Sequence, residues 1–116
     1  MKRETIQRVA TPTAILVALP EPFATQCSDQ LADDGLKILK VGHVAGACEQ
    51  LPIVMPQLVL APATMAAADL DSLEDRCVAV GATLMKVEPT ADWNALRPGL
   101  RQAGNDALIR ALRRGA

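Results

Sequence analysis

The sequence predicts an α/β domain: a three-layer, doubly wound parallel sheet of four to five strands with helices on both faces. Three observations lead there. Short, almost purely apolar runs recur along the chain, each bounded by Pro or Gly, as strands buried on both faces should be. Between them lie segments with apolar residues at helical spacing, joined by short connections, which is the pattern of right-handed βαβ crossovers. Of the 116 residues 50% are hydrophobic, yet Phe23 and Trp93 are the only aromatic rings. The core must therefore be Leu, Val, Ile, Ala and Met, which suits helices packed closely on a sheet.

The elements follow in order. Met1 to Pro12 is charged and polar, with no apolar stretch of signal-peptide type, and reads as a flexible tail before a single domain over residues 13–116. Thr13 to Leu19 is the first strand, closed by Pro20. Pro22 stands where a helix can begin, because its missing N–H costs nothing in the first turn. Phe23, Cys27 and Leu31 give that helix its apolar stripe, and Gly35 ends it. Leu36 to Val41 is a second strand, whose Lys37 and Lys40 suit an edge position. Val44 to Leu51 is a short helix ended by Pro52 and Pro56. Leu58 to Ala61 is the third strand, stopped by Pro62. Asp71 to Val80 is helical, with Leu73, Cys77 and Val80 inward, and Gly81 ends it. Ala82 to Val87 is the fourth strand. Asp92 to Leu96 makes one turn, and Pro98 then opens a longer helix carrying Leu100, Gly104, Ala107, Leu108, Ala111 and Leu112 on one face. Arg110, Arg113 and Arg114 crowd its last turn, where cations complement the helix dipole, and Gly115 caps it.

Composition excludes several functions. A formal charge of −1 and two aromatic rings leave neither a cationic surface nor a stacking platform for nucleic acid. No apolar run approaches the roughly 20 residues needed to cross a bilayer. Cys27, Cys48 and Cys77 are far apart, with no CxxC and no His at ligand spacing, so neither a zinc site nor any other metal or cofactor is expected. An odd number of thiols on apolar helix faces points to buried side chains and a reducing cytoplasm. His43 is the one conventional general base, and neither Ser28 nor Ser72 has a His near it in sequence, so a hydrolytic triad is not expected.

Glu21, His43, Thr64 and Glu88 all fall just after predicted strands, at the carboxyl edge where open α/β sheets bind ligands. They define a candidate cleft for a metal or small anion. The plain alternative is that both carboxylates are solvated and His43 caps a turn. VGHVAG has two glycines but not the spacing of a dinucleotide loop.

Three phrases in this order resemble the receiver domain of bacterial response regulators, over about Ala14 to Ala103. AILVALPEP keeps a receiver's opening strand, Glu21 and Pro22, but has Leu19 and Pro20 where the acidic pair stands. PQLVLAP keeps Pro56 through Leu60 and puts Pro62 at the position of the phosphoryl-accepting Asp. GATLMKVEP keeps Gly81, Ala82 and Pro89, with Glu88 in place of the lysine. Only one helix fits between Pro62 and Gly81, so the chain is one βα unit short of a receiver. In a second alignment LVLAPAT is the strand bearing the switch residue, at Thr64, and the acceptor strand is the one deleted.

The resemblance implies a flavodoxin-like fold whose switch chemistry is gone. Phosphoryl transfer to a carboxylate needs a nucleophilic Asp, a Mg²⁺ on hard oxygen ligands and a cation for the developing charge. Leu19, Pro20 and Pro62 offer no side-chain oxygen, and Glu88 reverses a charge. The expected role is protein–protein interaction in bacterial signalling by a chain that is not an enzyme. In receivers the last helices and strand commonly mediate dimerisation or output. Here Leu100, Leu108, Ile109 and Leu112 are the corresponding candidate interface, with a homodimer or another protein as partner. The competing expectation is a small ligand-binding or enzymatic domain using Glu21, His43 and Glu88.

Overall fold

The computed structural model describes residues 11–115, with the side chains of Arg114 and Gly115 outside the description. Most of the expected tail, residues 1–10, also lies outside the described residues. Pro12, placed in that tail, belongs to the domain: it is buried, and its carbonyl accepts the Lys37 N–H at 2.9 Å.

Four strands and four helices alternate: β1 (Thr13–Val17), α1 (Phe23–Asp33), β2 (Lys37–Val41), α2 (Val44–Val54), β3 (Leu58–Pro62), α3 (Ala67–Val80), β4 (Thr83–Val87) and α4 (Trp93–Gly115). All neighbouring strands are parallel, in the order β2-β1-β3-β4. The chain steps one way from β1 to β2 and the other way from β2 through β3 to β4. Right-handed crossovers then put α1 on one face and α2 and α3 on the other. The packing agrees. Phe23, Cys27 and Leu31 of α1 share a core with Leu100 and Ala107 of α4, built on Ala14, Leu16, Leu58 and Leu60. Ala47 and Leu51 of α2 meet Leu73 and Cys77 of α3 over Ile15, Val17, Val59 and Ala61. The result is a three-layer parallel α/β fold consistent with the flavodoxin-like class, with four strands among the described residues.

The central strands β1 and β3 are buried on both faces, which is why TAILV and LVLAP read as continuous apolar runs. At β2 and β4, the edges, Lys37, Lys40 and Lys86 are exposed. Gly104 lets α4 lie close on α1: a Cβ there would sit 3.2 Å from Leu31 Cδ2 and 3.3 Å from Asp34 Oδ2. Phe23 and Trp93 meet edge to face at 6.4 Å and tie the starts of the same two helices.

Several boundaries differ from the sequence reading. β1 stops at Val17 because Ala18 turns to a left-handed φ of 55°, so Leu19 lies beyond the strand. Pro52 does not end α2, which runs on to Val54. Pro52 is exposed near the helix end, so the i−4 hydrogen bond it forgoes is lost where solvent is close. Pro62 is the last residue of β3 rather than its stop. α3 begins at Ala67, four places before Asp71, because Ala66-Ala67-Ala68 has high helix propensity but no apolar periodicity. α4 is one helix through Pro98, whose fixed φ is helical and whose single missing bond lies on an exposed side. Gly115, expected as a cap, is the last residue of α4.

Two of the three cysteines are core residues, and this has a pH consequence. Burial pushes the thiols of Cys27 and Cys77 up to about 11. In the unfolded chain they titrate near the ordinary value of about 8.5. The folded pKa is the higher one, so this contribution to stability is complete below the unfolded value and is lost as pH rises through the folded one. The urea midpoint is expected to fall steadily from about pH 8.5 upward, and Cys27→Ala/Cys77→Ala should flatten that fall. A midpoint unchanged up to about pH 10.5 would contradict the burial of both thiols.

Candidate functional site

The chain reverses direction between β1 and β3, and in open α/β sheets the carboxyl ends of the strands at such a switch point are the usual ligand position. Two positions near it are filled by apolar side chains. Leu19 is half-buried and packs against the core shared by α1 and α4. Pro62 is buried at the end of β3, paired in register with Val87. Pro20 is exposed, and its carbonyl accepts the Ala24 N–H at 2.8 Å, serving the first turn of α1.

Glu21 is engaged structurally. One carboxylate oxygen accepts from the Thr25 hydroxyl (2.7 Å) and the Thr25 N–H (3.1 Å), so Glu21 supplies an acceptor to the first turn of α1. The other accepts from Lys40 Nζ at 3.2 Å. The hydrogen bonds from Thr25 and then Lys40 hold the carboxyl below its ordinary pKa. Thus Lys40, placed by sequence as an edge guard, also bridges β2 to the loop after β1. A cavity of about 310 Å³ lies beside this pair, walled by Leu19, Ala24 and Val41.

His43 is the N-cap of α2, its Nδ1 accepting the Gly46 N–H at 3.0 Å. This matches the plain alternative raised from sequence, in which His43 caps a turn. Thr64 is exposed in the turn after β3, and Glu88 is exposed with its carbonyl accepting the Ala91 N–H at 3.0 Å. The strand order sets His43 and Glu88 at opposite ends of the carboxyl edge, about 14 Å apart at three strand spacings. Glu21, His43, Thr64 and Glu88 therefore share an edge and do not converge. Among the described residues no three His, Cys, Asp or Glu side chains lie close enough together to hold a metal ion.

At the opposite edge lies a network that sequence reading missed. Gln57, buried at the start of β3, exchanges main-chain and side-chain bonds with Thr13: its Oε1 accepts the Thr13 N–H (2.9 Å) and its N–H donates to the Thr13 carbonyl (3.0 Å). Arg110 of α4 reaches down to it. Its Nη2 donates to the Gln57 carbonyl (2.9 Å) and its Nη1 to the Thr83 hydroxyl (2.6 Å). The available signal was a lone Gln between Pro56 and an apolar run.

The candidate interface is divided. Leu100 is fully buried in the core and cannot serve as a contact, because it lies on the side of α4 facing the sheet. Leu108 is half-buried, whereas Ile109 is 45% and Leu112 59% exposed. The apolar stripe is wider than the surface that α4 covers.

No protein-family model matches the chain, and no curated protein matches it. Among the described residues no helix is long and apolar enough to cross a membrane.

Proposed function

We propose that the chain is a receiver-like domain that accepts no phosphoryl group and acts by protein–protein interaction in bacterial signalling, in the cytoplasm. One observation carries the reading. The fold keeps the strand order of a flavodoxin-like domain, while Leu19 and Pro62 stand where the resemblance requires carboxylates. Phosphoryl transfer to a carboxylate needs a nucleophilic oxygen beside a hard-ligand cation site, and neither side chain provides one. Glu21, the carboxylate that follows β1, is occupied by Thr25 and Lys40. Exposure of Ile109 and Leu112 on α4 supports binding of protein, since apolar area left uncovered on a small domain is commonly a contact surface.

The test is titration with Mg²⁺ and beryllofluoride, and incubation with a small phosphodonor, followed by amide chemical shifts and mass. No saturable shift change and no added phosphoryl mass are expected. A saturable response centred on the loops after β1 and β3 would overturn the reading.

A further inference from the structure

β4 ends the sheet, and two contacts fix how α4 lies along it. At the start of the strand, Arg110 Nη1 donates to the Thr83 hydroxyl (2.6 Å). Further along, Met85 Cε lies 3.8 Å from where a Cβ on Gly99 would stand. α4 therefore runs antiparallel to β4, with its last turns beside Thr83. Between these contacts the two elements do not close. A cavity of about 570 Å³ remains, floored by Leu84 and Met85 and walled by Ala103 and Ile109. Small-molecule sites commonly measure about 300–1,000 Å³.

The charges around this cavity, Asp106, Arg110 and Arg113, are not balanced. Among the described residues the ion pairs are Lys40–Glu21 and Lys86–Glu74, so neither arginine has a carboxylate partner there. Arg110 donates only to neutral acceptors: the Thr83 hydroxyl and the carbonyls of Gln57 and Asp106. Arg113 is exposed three residues on, at a spacing where like charges repel. The helix dipole favours cations in a last turn, but it does not call for an apolar hollow beside them. The Asp106 carboxylate is turned the other way, its Oδ1 accepting from Gln102 Nε2 at 3.0 Å, one turn towards the start of α4. Two guanidiniums against one carboxylate leave a single net positive charge, gathered at one end of an apolar cavity.

We propose that this cavity binds a small amphipathic monocarboxylate, its head on Arg113 and Arg110 and its alkyl body along Leu84, Met85, Ala103 and Ile109. A guanidinium matches a carboxylate in charge and in the fork of its donors. One negative charge neutralises the site, whereas a dianion would leave a charge facing Asp106. From Ala103 to Arg113 the helix rises about 15 Å, the reach of a straight-chain carboxylate of roughly eight to ten carbons. Such a chain would cover Ile109, which is 45% exposed. The cavity lies by the start of β4, at the opposite end of the strands from Glu21 and Glu88. The inference thus goes beyond the protein-binding reading and stands without it.

Titration of the full chain with octanoate below its micelle concentration, followed by amide chemical shifts, should give a saturable response centred on β4 and the last turns of α4. Octanol, which lacks the charge, and acetate, which lacks the alkyl body, should each bind at least about tenfold more weakly. Arg113→Gln is expected to raise the octanoate dissociation constant by about tenfold with the melting temperature unchanged. Arg101→Gln, exposed on the same helix but outside the cavity lining, should leave it unmoved. Ile109→Glu sets a carboxylate four residues before Arg113, where the two pair, and should abolish the response. Absence of a saturable response, octanol binding as tightly as octanoate, or equal effects of Arg113→Gln and Arg101→Gln overturns the proposal.

Discussion

Replacing Leu60 with Ala is expected to lower the unfolding free energy by about 3–5 kcal/mol, the upper range for a leucine in a well-packed core. Leu60 lies in β3, with β1 on one side and β4 on the other, and is fully buried. Its side chain belongs to the core that includes Phe23 and Leu31 of α1 and Leu100 of α4. A hole there is walled by two strands and two helices, and the ladders hold the strands at fixed spacing, so the site relaxes little. Against a total of about 5–15 kcal/mol for a domain, the loss is a large fraction of what keeps the chain folded. Urea unfolding should show a lower midpoint with the slope unchanged. Leu112→Ala, on the exposed side of α4, is the control and should stay within about 0.5 kcal/mol of wild type. Leu16 faces Leu60 across the register, so Leu16→Ala and Leu60→Ala together should depart from additivity. A cost below about 1 kcal/mol for Leu60→Ala would contradict its burial.

Arg110→Met is expected to cost about 2 kcal/mol, while Arg113→Met, three residues on, should stay within about 0.5 kcal/mol. From sequence the two arginines are equivalent, each a cation complementing the dipole of the last helix, a contribution of about 0.3–1 kcal/mol. Tertiary structure separates them. Arg110 donates to the Gln57 carbonyl and to the Thr83 hydroxyl, fastening α4 across the starts of β3 and β4. Methionine keeps the packing of the stem and removes both charged donors. Gln57, the one buried polar residue of the described chain, also holds the start of β1 through Thr13. Removal of the guanidinium therefore loosens a junction of three strands. Equal effects of the two substitutions in urea unfolding would return Arg110 to a dipole role.

Much of the fold was legible because burial on both faces leaves a plain trace. TAILV and LVLAP cannot be exposed, and Pro and Gly mark where such runs end. The boundaries that moved are those where local rules compete. Pro52 and Pro98 both read as breaks, yet each lies in a helix held by packing, at the loss of one hydrogen bond on an accessible side. The alanine run before Asp71 has no apolar pattern, only propensity. For the candidate site, sequence placed Glu21, His43, Thr64 and Glu88 at the carboxyl edge, but could not tell that they stand apart along it. Convergence depends on the order of strands in the sheet, which is not the order of strands in the chain.

The sequence by itself determined the class of the fold, the alternation of strand and helix, and the absence of a side-chain oxygen at Leu19, Pro20 and Pro62. These follow from side-chain chemistry and short-range periodicity, which need no knowledge of distant contacts. Only the tertiary structure decided that β4 is left with an open edge, that Arg110 and Gln57 form a clamp, and that Leu100 is core while Ile109 and Leu112 are surface. Each of these depends on which face of an element its neighbours cover. That is settled by packing between segments far apart in the chain, and α4 is too narrowly covered to hide the whole of its apolar stripe.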